Sequence, residues 1–372
     1  MKLLHLKINR VFRFLQICNI ITCTWPHDPD VNKLVYILQK INWIFSLSNM
    51  IIIEATLIRT IYDQNNITTV MKALSEVACG MELLFNIVIC TLKSKHIQHV
   101  LKEIKDFLRT YNDHERIIIQ KYINRYTFFS MFVIICYGVS ITAFSCIPMF
   151  TSKKFPIEGS YPFSTESLVV TSIIYIMQVY AVMQSGLCVS VDLMFAVFFL
   201  YSSARLEMLC LEIQTAKNRR QINSCIKKHQ KIIRFVDKTK DVVQFSLFKT
   251  NILMAVMSIC GTFPIIHKQP LEVSSQFLCL VLAGYQRLYI TAWPANDLME
   301  NSERVAIEIY NMSWLGKSQY IIKDMCFIMQ RSQKPLLINM GMFLPTLTLK
   351  YYAKYFMTTL SYFATMRAII GD

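Results

Sequence analysis

Seven apolar runs divide this chain, and polar segments rich in lysine and arginine separate them. A hydrocarbon core of about 30 Å takes about 20 mostly apolar helical residues. The runs predict spans S1 at 33–57, S2 at 68–92, S3 at 127–150, S4 at 168–201, S5 at 243–266, S6 at 271–294 and S7 at 341–370. S2 is the most interrupted, by Lys72, Glu76 and Glu82. The polar segments are patterned too. "RRQINSCIKKHQKIIRFVDKTKDVVQFSLF" places Ile222, Ile226, Ile233, Val236 and Val243 at roughly helical spacing and contains no Pro or Gly, so S4 and S5 are expected to project beyond the membrane as helices. "ANDLMENSERVAIEIYNMSW" and "SQYIIKDMCFIMQRSQKP" read as amphipathic helices, the second ended by Pro335. Projections from S4 to S7 are expected to pack as a cytoplasmic anchor bundle; the alternative is helices lying on lipid headgroups. The fold class is therefore an all-α membrane protein with seven transmembrane helices in a single domain, 1–372. No internal repeat or low-complexity tract divides it.

Basic residues orient the chain, because Lys and Arg concentrate in cytoplasmic loops. With the N-terminus inside, 29 lie in the cytoplasmic segments and five in the external ones, Arg59, Lys153, Lys154, Lys268 and Arg367. Seven crossings then put the C-terminus outside. Composition agrees with lipid as solvent. Residues are 54% hydrophobic and only 17% charged, against about 25% in soluble proteins. The net charge of +15 does not indicate nucleic acid, because the basic residues are spread over the inter-span segments. Lys7, Arg10 and Arg13 interrupt the first apolar stretch, so no cleaved signal peptide is expected.

Enzyme chemistry finds no support. The seven histidines lie mostly in polar segments, and no HExxH, G-x-S-x-G or phosphate-binding loop occurs. Twelve cysteines lie mostly inside apolar runs without metal-ligand spacing and read as buried free thiols, so no metal or cofactor is expected. Asp192 in S4 and Arg287 in S6 can pair, and Lys72 and Glu76 are four residues apart on one face of S2. Asn66-Ile67-Thr68 is a glycosylation sequon on the expected outer side, whereas the sequon at Asn311 should be cytoplasmic. A transporter would show mirrored halves and broken helices, which the nine glycines and unlike halves do not suggest. In S7, Tyr351, Tyr355, Thr358, Tyr362, Thr365 and Ile369 share one helical face at intervals of 4, 3, 4, 3 and 4.

Five short stretches in order carry a family resemblance: "CIKKHQKIIRF" (225–235), "SERV" (302–305), "YNMSW" (310–314), "RSQKP" (331–335) and "SYFATMR" (361–367). Together they resemble insect odorant receptors along essentially the whole chain. The resemblance implies a tetrameric, odorant-gated, non-selective cation channel in which a divergent tuning subunit pairs with a shared odorant co-receptor. This chain lacks the enlarged S4–S5 segment of the co-receptor and so looks like a tuning subunit. Gustatory receptors are an alternative, but they usually end S7 with a T-Y-x-x-x-x-x-Q-F pattern that is missing here. A seven-helix G-protein-coupled receptor has the opposite orientation; no N-P-x-x-Y occurs, and Asn124-Arg125-Tyr126 lies at the start of S3. The implied location is the plasma membrane of a sensory dendrite, and the implied partners are a volatile odorant, the co-receptor, the bilayer and permeant cations, with no nucleic acid.

The resemblance makes the S7 seam a pore wall, with Thr358, Tyr362, Thr365 and Ile369 at the pore and gate. Hydroxyls can replace part of an ion's water shell, and an apolar ring gates by dewetting. The alternative is that the seam packs on S5 and S6. Family members commonly read S-Y-F-T-V-L where this chain has "SYFATM", so Thr365 stands at a valine position and implies either a leakier closed gate or a gate completed by co-receptor residues and Ile369. The resemblance also places an odorant cavity among the outer halves of S2, S3, S4 and S6. The aromatic, aliphatic, Met and polar residues there are Met81, Tyr137, Ile141, Phe144, Tyr175, Met177, Tyr180, Met183, Gln184 and Phe277.

Overall fold

The computed structural model describes residues 8–26, 32–150, 153–266, 271–314, 317–341 and 344–370. They form eleven helices: α1 (Ile8–Ile21), α2 (Lys33–Asp63), α3 (Ile67–Leu92), α4 (Ser94–Thr110), α5 (Asp113–Phe150), α6 (Leu168–Leu187), α7 (Val189–Thr215), α8 (Arg219–Ile266), α9 (Leu271–Tyr310), α10 (Gln319–Ser332) and α11 (Leu349–Ile370). Among the described residues five helical stretches are long and apolar enough to cross a membrane: α2, α3, α5, α6 with α7, and most of α8. Two of them carry exposed apolar stripes. Leu34, Leu38, Ile41 and Phe45 on α2, and Phe128, Phe132, Ile135 and Val139 on α5, recur every three or four residues and are 47–73% exposed. Water would penalise such surfaces, and lipid does not.

Sequence and structure differ at several edges. The S4 run is two helices, α6 and α7, because the turn tightens at Cys188, where the Val191 amide bonds the Cys188 carbonyl at 3.0 Å. The S7 run becomes helical only at Leu349. Before it, the chain is extended: Asn339 bridges Thr346, and Leu336, Ile338 and Met340 alternate into the core. Gly341 turns the chain at φ +90° against Phe248, a left-handed conformation that favours glycine. The amphipathic segment after S6 is not a separate helix but the end of the 40-residue α9, which continues through Pro294.

Two helices escaped the sequence reading. The short α1 packs Leu15 and Cys18 against the bundle. In α4, Ile97, Val100, Leu101 and Ile104 occupy one face and are at most 4% exposed. They join the largest hydrophobic cluster, in which α4, the extensions of α7, α8 and α9, α10 and the 336–347 strap converge. At its centre α7 contributes Met194, Phe195, Phe198, Phe199, Leu206 and Leu209, each at most 1% exposed.

This anchor end explains the short motifs physically. Cys225, His229, Ile232, Phe235 and Val236 form the buried face of the α8 extension. Ser302 of "SERV" is buried and its Oγ accepts the Leu336 amide at 2.9 Å, which pins the strap that follows "RSQKP". Asn296 Oδ1 accepts the Leu349 amide at 3.3 Å and so fixes where α11 begins.

Candidate functional site

Towards the other end, α2, α3, α5, α6, α8 and α9 surround a half-open cavity of about 120 Å³. Its wall is mostly aliphatic and aromatic, with Ile53, Leu57, Tyr137, Ile141, Phe144, Met254, Met257 and Leu280. Small residues create the space: Gly80 on α3, Ala181 and Gly186 on α6, and Ala283 on α9. A Cβ at Gly186 would lie 2.4 Å from Ile141, so glycine lets α5 and α6 approach.

The segment joining α5 to α6 folds back over this end, and Ile157 reaches the cavity. Gln178 latches it: Oε1 accepts the Ile157 amide at 2.9 Å, and Nε2 donates to the Ile157 carbonyl at 3.0 Å and the Tyr161 hydroxyl at 2.9 Å. The Ser160 amide donates to Thr60 Oγ1 at 2.8 Å. Glu158 sits 3.3 Å from Lys72 and 2.7 Å from Lys153. Burial pushes the Glu158 carboxyl up, but the two lysines outweigh it and hold it below its usual range.

Arg287 lines the opposite wall and belongs to a buried ionic cluster. Its Nε donates to Asp192 at 2.6 Å and its second nitrogen to Glu82 at 2.8 Å. Lys249 lies 2.5 Å from Glu82, and Thr250 and Asn86 donate to the same carboxylate at 2.8 and 3.1 Å. Two acids and two bases therefore cancel in the centre of the bundle, joining α3, α7, α8 and α9. The Asp192–Arg287 and Lys72–Glu76 pairings expected from sequence are both present, the second at a long 3.9 Å.

Of the ten candidate ligand residues, Tyr137, Ile141 and Phe144 line the cavity together on α5. Tyr137 also donates to the Ala283 carbonyl at 3.1 Å. The other seven do not line it. Tyr180 and Gln184 form a polar knot with Ser46, Asn42 and the Ile21 carbonyl, tying α6 to α1 and α2. Tyr175 donates to the Ser145 carbonyl at 3.0 Å. Met177 lines a separate outer groove with Tyr161 and Phe163. Phe277 is buried 3.7 Å from the position of a Cβ on Gly261, and Met81 and Met183 are half-buried. Sequence reasoning missed the α2 wall, above all Glu54 inside "MIIIEATLI", whose signal was a carboxyl in an apolar run.

The α11 seam divides. Tyr351 accepts from Asn251 on α8 at 2.5 Å, and the Tyr355 ring stands 6.3 Å from that of Tyr285 on α9. Beside them Thr359 bonds the Tyr285 hydroxyl at 2.6 Å, and Tyr352 packs on Tyr289 at 5.2 Å. Farther on, Thr358, Tyr362 and Thr365 are exposed. Thr358 and Thr365 satisfy their own hydroxyl protons on the carbonyls of Lys354 and Ser361, at 2.8 and 2.9 Å. The Ile369 side chain lies outside the described residues.

Residues 66–355 match the family described as 7tm Odorant receptor. Odorant receptor 10 of Aedes albopictus is 23% identical over 316 residues, covering 77% of this chain and 82% of that protein. Odorant receptor 47b of Drosophila melanogaster is 24% identical, covering 87% and 83%. Odorant receptor Or2 of Anopheles gambiae is 26% identical over a shorter stretch, 40% of this chain and only 39% of that protein. In three dimensions the chain is similar to the insect olfactory receptor OR5 from Machilis hrabei, solved in complex with eugenol, with a TM-score of 0.84 over 97% of this chain and 98% of that one at 14% identity. The relatives are receptors rather than enzymes. The apolar helices, the bundle and the match over most of its length establish that this multi-pass membrane chain belongs to the seven-transmembrane odorant receptor family.

Proposed function

We propose that this chain is the odorant-binding tuning subunit of a ligand-gated, non-selective cation channel. The observation that carries the reading is the small apolar cavity inside the bundle of an odorant-receptor-family chain. Its wall suits a small volatile molecule. The seven crossings are α2, α3, α5, α6 with α7, α8, α9 and α11, in one domain. The basic bias of 29 to five supports a cytoplasmic N-terminus and an external C-terminus.

The split seam supports an assembly reading. The upper tyrosines of α11 are used against α8 and α9, whereas Thr358, Tyr362 and Thr365 face away from the rest of their own chain. In a heterotetramer with the odorant co-receptor these exposed residues, with Ile369, form the pore wall. The channel resides in the plasma membrane of a sensory dendrite. Odorant binding favours the open arrangement by its difference in affinity between open and closed states.

The test is whole-cell recording from cells expressing this chain with the co-receptor, during exposure to a panel of small apolar volatiles. Currents require both chains, and Ala283→Phe, which fills the cavity, abolishes them while surface delivery is unchanged. Odorant currents that persist undiminished in Ala283→Phe would contradict the cavity as the ligand site.

A further inference from the structure

Charges around the cavity cancel in two groups. Glu82 and Asp192 face Lys249 and Arg287, and Glu76 and Glu158 face Lys72 and Lys153. Glu54 belongs to neither. It is 4% exposed, lines the cavity, and neither carboxyl oxygen has a hydrogen-bond partner among the described residues. Its seat is built into the neighbouring helix: a Cβ at residue 80 would lie 1.7 Å from Glu54 Oε1, so Gly80 makes room for the carboxyl. Buried polar groups in native proteins are rarely left without partners, and a space beside such a group is where a partner can enter.

We propose that Glu54 is the polar anchor for the cavity's ligand, and that this ligand is a small, otherwise apolar molecule with a hydrogen-bond donor head: an alcohol, a phenol or an amine. The inference rests on the cavity being the ligand site. Size limits the skeleton. A 150 Å³ apolar cavity in another protein holds benzene, so about 120 Å³ limits the skeleton to about one benzene-sized ring, with the flexible Met254 and Met257 of the wall giving way to a one- or two-atom head. The two vacant oxygens limit the head. A hydroxyl donates to one carboxyl oxygen and accepts the proton of the other when the acid is neutral. An amine takes that proton and binds as an ammonium against the carboxylate. An ether or hydrocarbon satisfies at most one oxygen.

Equilibrium binding of toluene, anisole, benzyl alcohol and benzylamine to the purified chain in lipid nanodiscs tests this. Benzyl alcohol or benzylamine binds about tenfold or more tightly than toluene and anisole. Glu54→Leu removes that advantage and retains toluene. Glu54→Gln separates the two heads: it keeps an alcohol and loses an ammonium. The proposal is overturned if the donor advantage survives Glu54→Leu, if wild type shows none, or if none of the four binds. Ala283→Phe separates the two levels of the argument. Unchanged binding of every probe in that variant removes the cavity reading itself. Blocked binding, with a ranking indifferent to Glu54, removes only the role of Glu54.

Discussion

The two ends of this bundle are built on opposite rules. At the anchor end, phenylalanines of α7 are sealed among aliphatic side chains of α4, α8, α9 and α10. At the cavity end, glycine and alanine hold the helices around empty space, and a single latched segment crosses it. Close-packed interiors transmit strain and tolerate few deletions. A cavity forgoes that packing. The ionic cluster lies between the two regimes, where Arg287 both lines the cavity and bonds the acids of α3 and α7. A ligand that displaces α9 near Ala283 therefore acts on a helix anchored firmly at its other end.

The largest disruptions separate the regimes. Arg287→Ala leaves Glu82 and Asp192 with one buried cation between them and costs about 3–5 kcal/mol; surface delivery of the receptor collapses, and Asp192→Asn in the same chain restores part of it. Phe199→Ala opens a void in the anchor core and costs about 3–5 kcal/mol, read as loss of thermal stability in detergent with little change in which odorants still act. Ser302→Ala removes the acceptor of the Leu336 amide and costs about 1–3 kcal/mol; hydrogen exchange speeds up at residues 336–341 of the strap before it does elsewhere. Gln178→Leu unlatches the α5–α6 segment, and its effect is on ligands: odorant dissociation quickens while the anchor end keeps its exchange protection. The smallest effect is at the exposed seam. Thr365→Val lowers the basal current without changing stability, and an unchanged basal current means that Thr365 does not face the gate.

The anchor end was more legible in the sequence than the cavity. Of the face marked by helical spacing, Ile222, Val236 and Val243 are buried and Ile226 and Ile233 half-buried, because burial periodicity is written largely in residue types. The pairing of Asp192 with Arg287 was legible for a similar reason: an ion in an apolar run needs a counter-ion. Space has no such signature. Tyr137, Ile141 and Phe144 share the cavity wall, whereas Tyr180 and Gln184, polar residues on the same predicted half, are spent on joining α6 to α1 and α2. The difference lies in which helices are neighbours, and periodicity within one helix does not contain it. The late start of α11 was missed because the apolar run continues through the strap, where Gly341 diverts the backbone. The short α4 was missed because it is too polar to span and too brief to stand out.

The central claim is that odorant moves the cavity end and the exposed α11 seam against a fixed anchor. Pulsed spin-label distances across the assembled channel measure this most directly. Labels are introduced through a non-natural amino acid at Tyr362 on the seam and at Lys323 on α10, which avoids the twelve native cysteines. Saturating odorant lengthens the Tyr362 distances and leaves the Lys323 distances unchanged. Equal shifts at both positions, or a Tyr362 distance indifferent to an odorant that evokes current, would contradict it.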